Sequence, residues 1–196
     1  WSAISENYVY YTRTHESVIE FEWLRGESDI KPKSHINMSI TKENSRDTRK
    51  ARFDRYLKLD KNFGLFCGLW LAEGFKNGTA HHVSEHEFVN NIYNNSPLQT
   101  YKWCPVSSTN GAQMRYSCKA LDMFLEYTFG SGAKFKHLNN YLLHTPEEFI
   151  KGLIEGYYFG DGTTYSNKGR YSETATSASD KLLIQLKLLM IRRLGV

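Results

Sequence analysis

Cysteine is scarce in this chain. The three present, Cys67, Cys104 and Cys118, are an odd number without metal-ligand spacing. A disulfide scaffold and a zinc knuckle are both excluded by that pattern, and reduced thiols in a cytoplasmic or nucleoid-associated protein are expected. Only four prolines occur in 196 residues, so nothing reads as an extended proline-rich linker. No apolar run approaches the ~20 residues that a membrane span needs, and no secretory leader is recognisable. Neither sign of charge dominates. Twenty-five Lys and Arg face twenty-one Asp and Glu, a net charge of +4 that favours an acidic partner without resembling a basic tail. What is abundant is apolar and aromatic residue, 40% and 14% of the chain, enough for a sizeable core.

Glycine is not scarce, and its placement is informative. Gly152, Gly156 and Gly160 fall at four-residue steps within Thr145-Pro-Glu-Glu-Phe-Ile-Lys-Gly-Leu-Ile-Glu-Gly-Tyr-Tyr-Phe-Gly-Asp-Gly162. That step puts all three on one helical face. Each glycine inside a helix costs roughly 1 kcal/mol against alanine, so a stripe of three calls for close approach of another backbone. Gly64, Gly68 and Ala72 repeat the step upstream, in Asp60-Lys-Asn-Phe-Gly-Leu-Phe-Cys-Gly-Leu-Trp-Leu-Ala-Glu-Gly74. In each stretch an acid follows the third small residue, Glu73 in one and Asp161 in the other. Gly74 and Gly162 close the two helices, where a left-handed residue is expected. Packing the two small faces together would set the two carboxylates side by side.

At these residues the sequence resembles the LAGLIDADG homing endonucleases. Phe66-Cys-Gly-Leu-Trp-Leu-Ala-Glu-Gly74 is similar to the first family motif and Ile154-Glu-Gly-Tyr-Tyr-Phe-Gly-Asp-Gly162 to the second. The resemblance implies that Glu73 and Asp161 hold Mg²⁺, with Mn²⁺ able to substitute, and that the partner is double-stranded DNA with a long asymmetric site. It implies a monomer with two pseudo-symmetric halves. It also implies a catalytic lysine in the basic stretch ahead of the second acid, where Lys136 stands with Lys134 as the fallback. Sheet residues Lys76, Lys102, Arg115 and Arg170 are candidates for DNA contact. The family further includes DNA-binding regulators that do not cut, splicing proteins whose nuclease has decayed, and RNA-binding intron maturases. Intact acids favour cutting, and RNA binding would mark a maturase.

Residues 1–59 are expected to be a β-rich segment followed by a basic connector, since residues 1–40 alternate in short runs, Tyr8-Val-Tyr-Tyr11 and Val18-Ile-Glu-Phe21, that read as strands. Thr12-Arg-Thr-His15 resembles the Thr-x-x-His motif of intein splicing domains, making Thr12 and His15 splicing candidates and the segment a remnant of such a domain. Residues 42–58 carry seven bases against three acids and read as a basic connector or helix face. Asp60 is the expected cap of the first motif helix. A turn is expected at Asn77-Gly78, and a capping box at Ser84–Glu87 should open a helix to about Tyr93. His81 and His82, adjacent in a strand, point opposite ways and share no metal with His86. A hairpin about Asn110-Gly111 and a helix from Lys119 to Phe129, ended by Gly130, follow.

Thr145, Pro146 and Glu148 should then open the second motif helix with a capping box. Strand, turn and strand to Thr176 come next, and Ser177 or Ser179 caps a helix over Leu182–Leu194. The expectation is an α+β protein of duplicated αββαββα half-domains with antiparallel saddle-shaped sheets. The halves are residues 60–144 and 145–196, the second cut short, and the start at Trp1 and end at Val196 read as those of a fragment.

Overall fold

Alternating apolar and polar residues make strands wherever one face is covered. The computed structural model describes the backbone of residues 8–12, 18–23, 35–42, 50–54, 56–98, 100–106, 109–167 and 170–195, and the side chains among them from Leu57 onward except 166–172. Strand β1 (Tyr8–Thr12) pairs antiparallel with β4 (Lys50–Asp54). Strand β2 (Val18–Trp23) pairs with β3 (His35–Lys42), which pairs with β5 (Tyr56–Lys58). The basic stretch is thus neither linker nor helix over its described part. Its charges conceal a period-two pattern, Ala51 and Phe53 set between Lys50, Arg52 and Asp54.

Helix α1 (Lys61–Glu73) begins at Asp60, whose Oδ1 accepts from the Phe63 amide at 3.0 Å. Apolar on nearly all sides, it can only be a central helix. Phe63, Phe66, Cys67, Leu69, Trp70 and Leu71 are all buried. Phe66 meets Tyr93 edge-on at 5.3 Å, and Phe63 lies 5.7 Å from Phe124 and 6.0 Å from Phe149. Such aromatic pairs contribute about 0.5–1.5 kcal/mol each beyond area burial.

After α1 come β6 (Gly74–Phe75) and β7 (Gly78–His82). Phe75 pairs with Gly78, so the turn residues are Lys76 and Asn77, one position earlier than the Asn-Gly signal suggests, and Asn77 takes φ +67°. A short 3-10 turn, Val83–Glu85, precedes α2 (His86–Asn94). The capping box is His82 with Glu85 instead of Ser84 with Glu87. The His82 ring Nδ1 sits 2.7 Å from Ser84 Oγ and accepts from the Ser84 amide, while Glu85 Oε2 accepts from the His82 amide at 2.9 Å. Strands β8 (Tyr101–Pro105) and β9 (Gly111–Tyr116) complete a four-stranded antiparallel sheet in the order β6-β7-β9-β8. Helix α3 (Lys119–Phe129) ends at Gly130, φ +76°.

Helix α4 (Glu147–Asp161) starts without the expected box. The Thr145 hydroxyl donates backward to Leu142 O at 2.8 Å, closing the preceding 3-10 turn, and Pro146 takes the cap position with no side-chain bond. Strands β10 (Gly162–Asn167) and β11 (Arg170–Ala175) form a hairpin, and Ser179 caps α5 (Asp180–Leu194) by accepting from the Leu182 amide. The class is α+β, with five α-helices and antiparallel sheets among the described residues. None of those helices is long and apolar enough to cross a membrane.

Candidate acidic site at the crossing of α1 and α4

Helices approach closely only where side chains are missing, and here the missing side chains are reciprocal. A Cβ on Gly64 would overlap Phe149 O and come within 3.0 Å of Leu153 N. One on Gly152 would overlap Lys61 O and come within 2.9 Å of Leu65 N. The next step repeats the exchange. Gly68 abuts Leu153 O and Tyr157 N, and Gly156 abuts Leu65 O and Leu69 N. At the third step the contact changes character, because Gly160 faces the side chains of Ala72 and Glu73, with Glu73 Cγ 3.0 Å from where a Cβ would lie. The glycine stripes therefore steer Glu73 onto the last turn of α4, beside Asp161.

Both acids end their helices, where unpaired carbonyls already concentrate partial negative charge. Burial raises the Glu73 carboxyl above its ordinary range, and the charges of Asp161 and Glu85 push it further up. Burial likewise raises Asp161, against the opposing pull of a Tyr157 hydrogen bond and of Lys136. The pair is a half-buried acidic site that a cation would relieve.

Gly74 and Gly162 are not left-handed. They sit at φ −75°, ψ 139° and φ −87°, ψ 150°, extended values open to any residue. Glycine is needed there for room, since each amide bonds back to Trp70 O or Tyr158 O so tightly that a Cβ would overlap that same carbonyl. The chain can therefore leave the helix straight into β6 or β10 directly after the acid.

Lys136 lies at this end of α1 and is only 6% exposed. Its ammonium donates to Trp70 O (3.1 Å), Leu71 O (2.8 Å) and Gly74 O (3.1 Å), and it stands 5.2 Å from the centre of the Trp70 ring. Burial pushes its pKa down to about 8, while Asp161 and Glu73 pull the other way. Lys134 is exposed on the loop after α3.

The sheet presents a second cluster. Thr79, His81, Ala112, Met114 and Tyr116 face the core, leaving the alternate residues of β8 and β9 outward. Lys102 and Arg115 are register partners on that outer face. Arg115 Nε donates to Gln113 Oε1 at 2.8 Å, and its guanidinium lies 5.7 Å from the Phe75 ring centre. β6, which follows Glu73 directly, is an edge strand of this sheet, with β9 and β8 two and three strands away. Lys76 stands in the β6–β7 turn, apart from the pair. Arg170 opens β11 opposite Asn167, and Thr12 pairs with Lys50 in β1. His15 lies outside the described residues. His81 and His82 do point opposite ways, one buried against Trp103 and one exposed. Among the described residues no three His, Cys, Asp or Glu side chains gather as a metal site.

Two contributors escaped the sequence reading. Tyr157, one turn before the end of α4, has a single hydroxyl proton, directed to Thr176 O at 2.7 Å and shared with Asp161 as a competing acceptor. Its four-residue distance from Asp161 was the available signal. Glu85 reaches the site electrostatically from the turn before α2, a proximity that no local pattern encodes.

No protein-family model matches the chain. It is 30% identical over 144 residues to the DNA-directed RNA polymerase subunit Rpo1C of Methanocaldococcus jannaschii, a match covering 69% of this chain and 16% of the subunit. It is 22% identical over 147 residues to a DNA polymerase of Thermococcus litoralis, covering 71% of this chain and 8% of that protein. The chain thus spans only a small part of either relative.

Proposed function

We propose that this chain is the DNA-cutting part of a LAGLIDADG homing endonuclease, carried as an intein within a longer host protein. The observation that carries the reading is the reciprocal packing of α1 and α4, which brings one acid from each helix to a common point. The order of elements supports it. From α1 the chain runs helix, hairpin, helix, hairpin, helix, and from α4 it begins again as helix, hairpin, helix. Duplication explains why Gly64 and Gly152, then Gly68 and Gly156, exchange equivalent contacts about a local two-fold. The relatives fit an inserted element. Two polymerases of different kinds match this chain only over small segments of their length, so the shared part is not a whole polymerase.

The donor set suits Mg²⁺. That ion is held by one or two carboxylates, with water and phosphate oxygens completing its shell, and Glu73 and Asp161 offer two hard oxygen groups whose mutual repulsion a divalent charge removes. When bound, the metal neutralises charge on the phosphate and favours ionisation of a water for hydrolysis. The chain's own part is placement. The α1–α4 stripe fixes the separation of the acids, Tyr157 orients Asp161, and half-burial keeps competing water low around both. Lys102 and Arg115 supply positive charge on the outer face of the sheet whose edge strand β6 follows Glu73, a surface for the duplex backbone or base edges. One acid from each half suits a duplex, which presents one scissile phosphate per strand.

The deciding experiment incubates the full-length chain with duplex DNA carrying the uninterrupted host-gene junction and Mg²⁺. Double-strand cutting by the wild type should drop at least about a hundredfold in Glu73→Gln and in Asp161→Asn, as expected for loss of a group that stabilises developing charge. Cutting that survives both substitutions would sink the site assignment. Binding without any cutting, alike in all three proteins, would instead make the chain a DNA-binding relic, and preference for intron RNA would make it a maturase.

A further inference from the structure

A lysine with a free ammonium beside two acids is the usual expectation for a cation that meets phosphate. Lys136 is not free. An ammonium has three protons, and all three are used, on the carbonyls of Trp70, Leu71 and Gly74. These carbonyls belong to the last turn of α1 and the residue after it, where backbone acceptors outnumber backbone donors. Glu73 lies between Leu71 and Gly74, so the bonds bracket its backbone on both sides. A point-like ammonium can meet three converging oxygens, which a flat guanidinium fork cannot.

Lys136 is itself held from the other side. Ser179 Oγ donates to Lys136 O at 2.7 Å while accepting from the Leu182 amide, the cap of α5. Gln185, one turn further along α5, brackets Leu138 by accepting from its amide and donating to its carbonyl, each at 2.8 Å. The His137 amide donates to Phe129 O at 2.8 Å. Residues 136–138 therefore form a strap, fastened to α5 and α3, whose lysine grips the end of α1.

We propose that Lys136 is a positioning residue, capping the C-terminal end of α1 so that the Glu73 carboxylate is seated against Asp161, and that it does not touch the phosphate. What the seated acids do rests on the endonuclease reading above; the capping does not. A phosphate contact would require the ammonium to break one of these three bonds, each of them charge-assisted. The strap also makes α5, which carries no acid of the pair, a support for the acid of the other half.

The test compares full-length wild type with Lys136→Met, which keeps the apolar stem, and with Gln185→Leu, which loosens the strap without touching α1. Three quantities are measured: amide hydrogen exchange at residues 71–75 without metal, Mg²⁺ affinity by calorimetry without DNA, and single-turnover cutting at saturating Mg²⁺. Loss of three hydrogen bonds should speed exchange at Gly74 and Phe75 about tenfold or more in Lys136→Met. Mg²⁺ affinity should fall about tenfold or more, the effect of a lost outer support, and cutting at saturating metal should return to near the wild-type rate. Gln185→Leu should move exchange and affinity in the same direction by a smaller factor, which keeps the test open if Lys136→Met fails to fold. Unchanged exchange and affinity, with cutting about a hundredfold slower at saturating metal, would overturn the proposal in favour of a phosphate contact. A wild type that neither binds Mg²⁺ nor cuts would defeat the endonuclease reading, and the exchange measurement would still decide the capping.

Discussion

Replacing Gly68 by alanine tests whether the two helices touch as described. Helix propensity alone favours the change by about 1 kcal/mol, since Gly68 lies in the interior of α1. Packing opposes it. The new Cβ would overlap Leu153 O and lie 2.7 Å from Tyr157 N, and both are backbone atoms that no rotamer change can move. The helices must separate, loosening the contacts at Gly64, Gly152 and Gly156 together. Inserting a methyl group into a close-packed site costs typically 1–3 kcal/mol, and more where backbone must shift. The net expectation is a loss of roughly 2–3 kcal/mol, a large share of the 5–15 kcal/mol by which domains are usually stable. For a chain of this size that is a fall in melting temperature of roughly 5–10 °C. Urea unfolding followed by far-UV circular dichroism measures it. A Gly68→Ala protein as stable as wild type, or about 1 kcal/mol more stable, would refute the close approach and with it the placement of Glu73.

Gly160→Ala should behave differently, because its neighbours are side chains. The methyl group meets Ala72 Cβ and Glu73 Cγ, and Glu73 can swing away. Stability should change by less than about 1 kcal/mol, while Mg²⁺ affinity measured by calorimetry falls; an unchanged affinity would count against the geometry. Asp122 gives a pH prediction. Burial raises its carboxyl to about 6 from an ordinary 3.8, against the pull of bonds from Tyr116 and the Asn77 amide. Its protonated form is the one the fold prefers, so its contribution is complete below pH 3.8 and is lost as pH rises through about 6. The loss is roughly 2–3 kcal/mol. Asp122→Asn, neutral throughout, should remove that decline from urea unfolding measured between pH 4 and 7, and a decline as steep as in wild type would disprove the assignment.

What the sequence could show was set by how local the cause is. The glycine steps in α1 and α4 were legible because period and helix face are linked by geometry alone, and they led to Glu73 and Asp161. Asp60 was legible as a cap for the same reason, acting within three residues, and the cap of α5 was narrowed to Ser177 or Ser179, of which the fold uses Ser179. Gly74 and Gly162 were legible as helix ends but not in conformation. A glycine needed for left-handed backbone and one needed for room look alike in a sequence, and only the extended φ separates them. The box at Thr145 failed because its hydroxyl had a nearer acceptor in Leu142 O. Strands β4 and β5 were masked by charge. Lys136 was least legible of all, since its burial depends on carbonyls more than sixty residues earlier in the chain.

The acids stand where the fold alone would least place them. Each ends a helix, at the pole that favours a cation. Each is half-buried, which disfavours charge, and the charge of Asp161 pushes Glu73 further up. Lys136, the buried lysine among the described residues, has its three protons on backbone carbonyls and lowers the repulsion only through space. Packing would be served as well by two neutral side chains of the same size. The small-residue stripe, the room made at Gly74 and Gly162, and the strap from α5 all act to hold the two carboxylates together rather than let them part. A structure that opposes the separation of like charges at several independent points suits a positive charge brought from outside, and under the endonuclease proposal that charge is a divalent cation shared with the phosphate of a bound duplex.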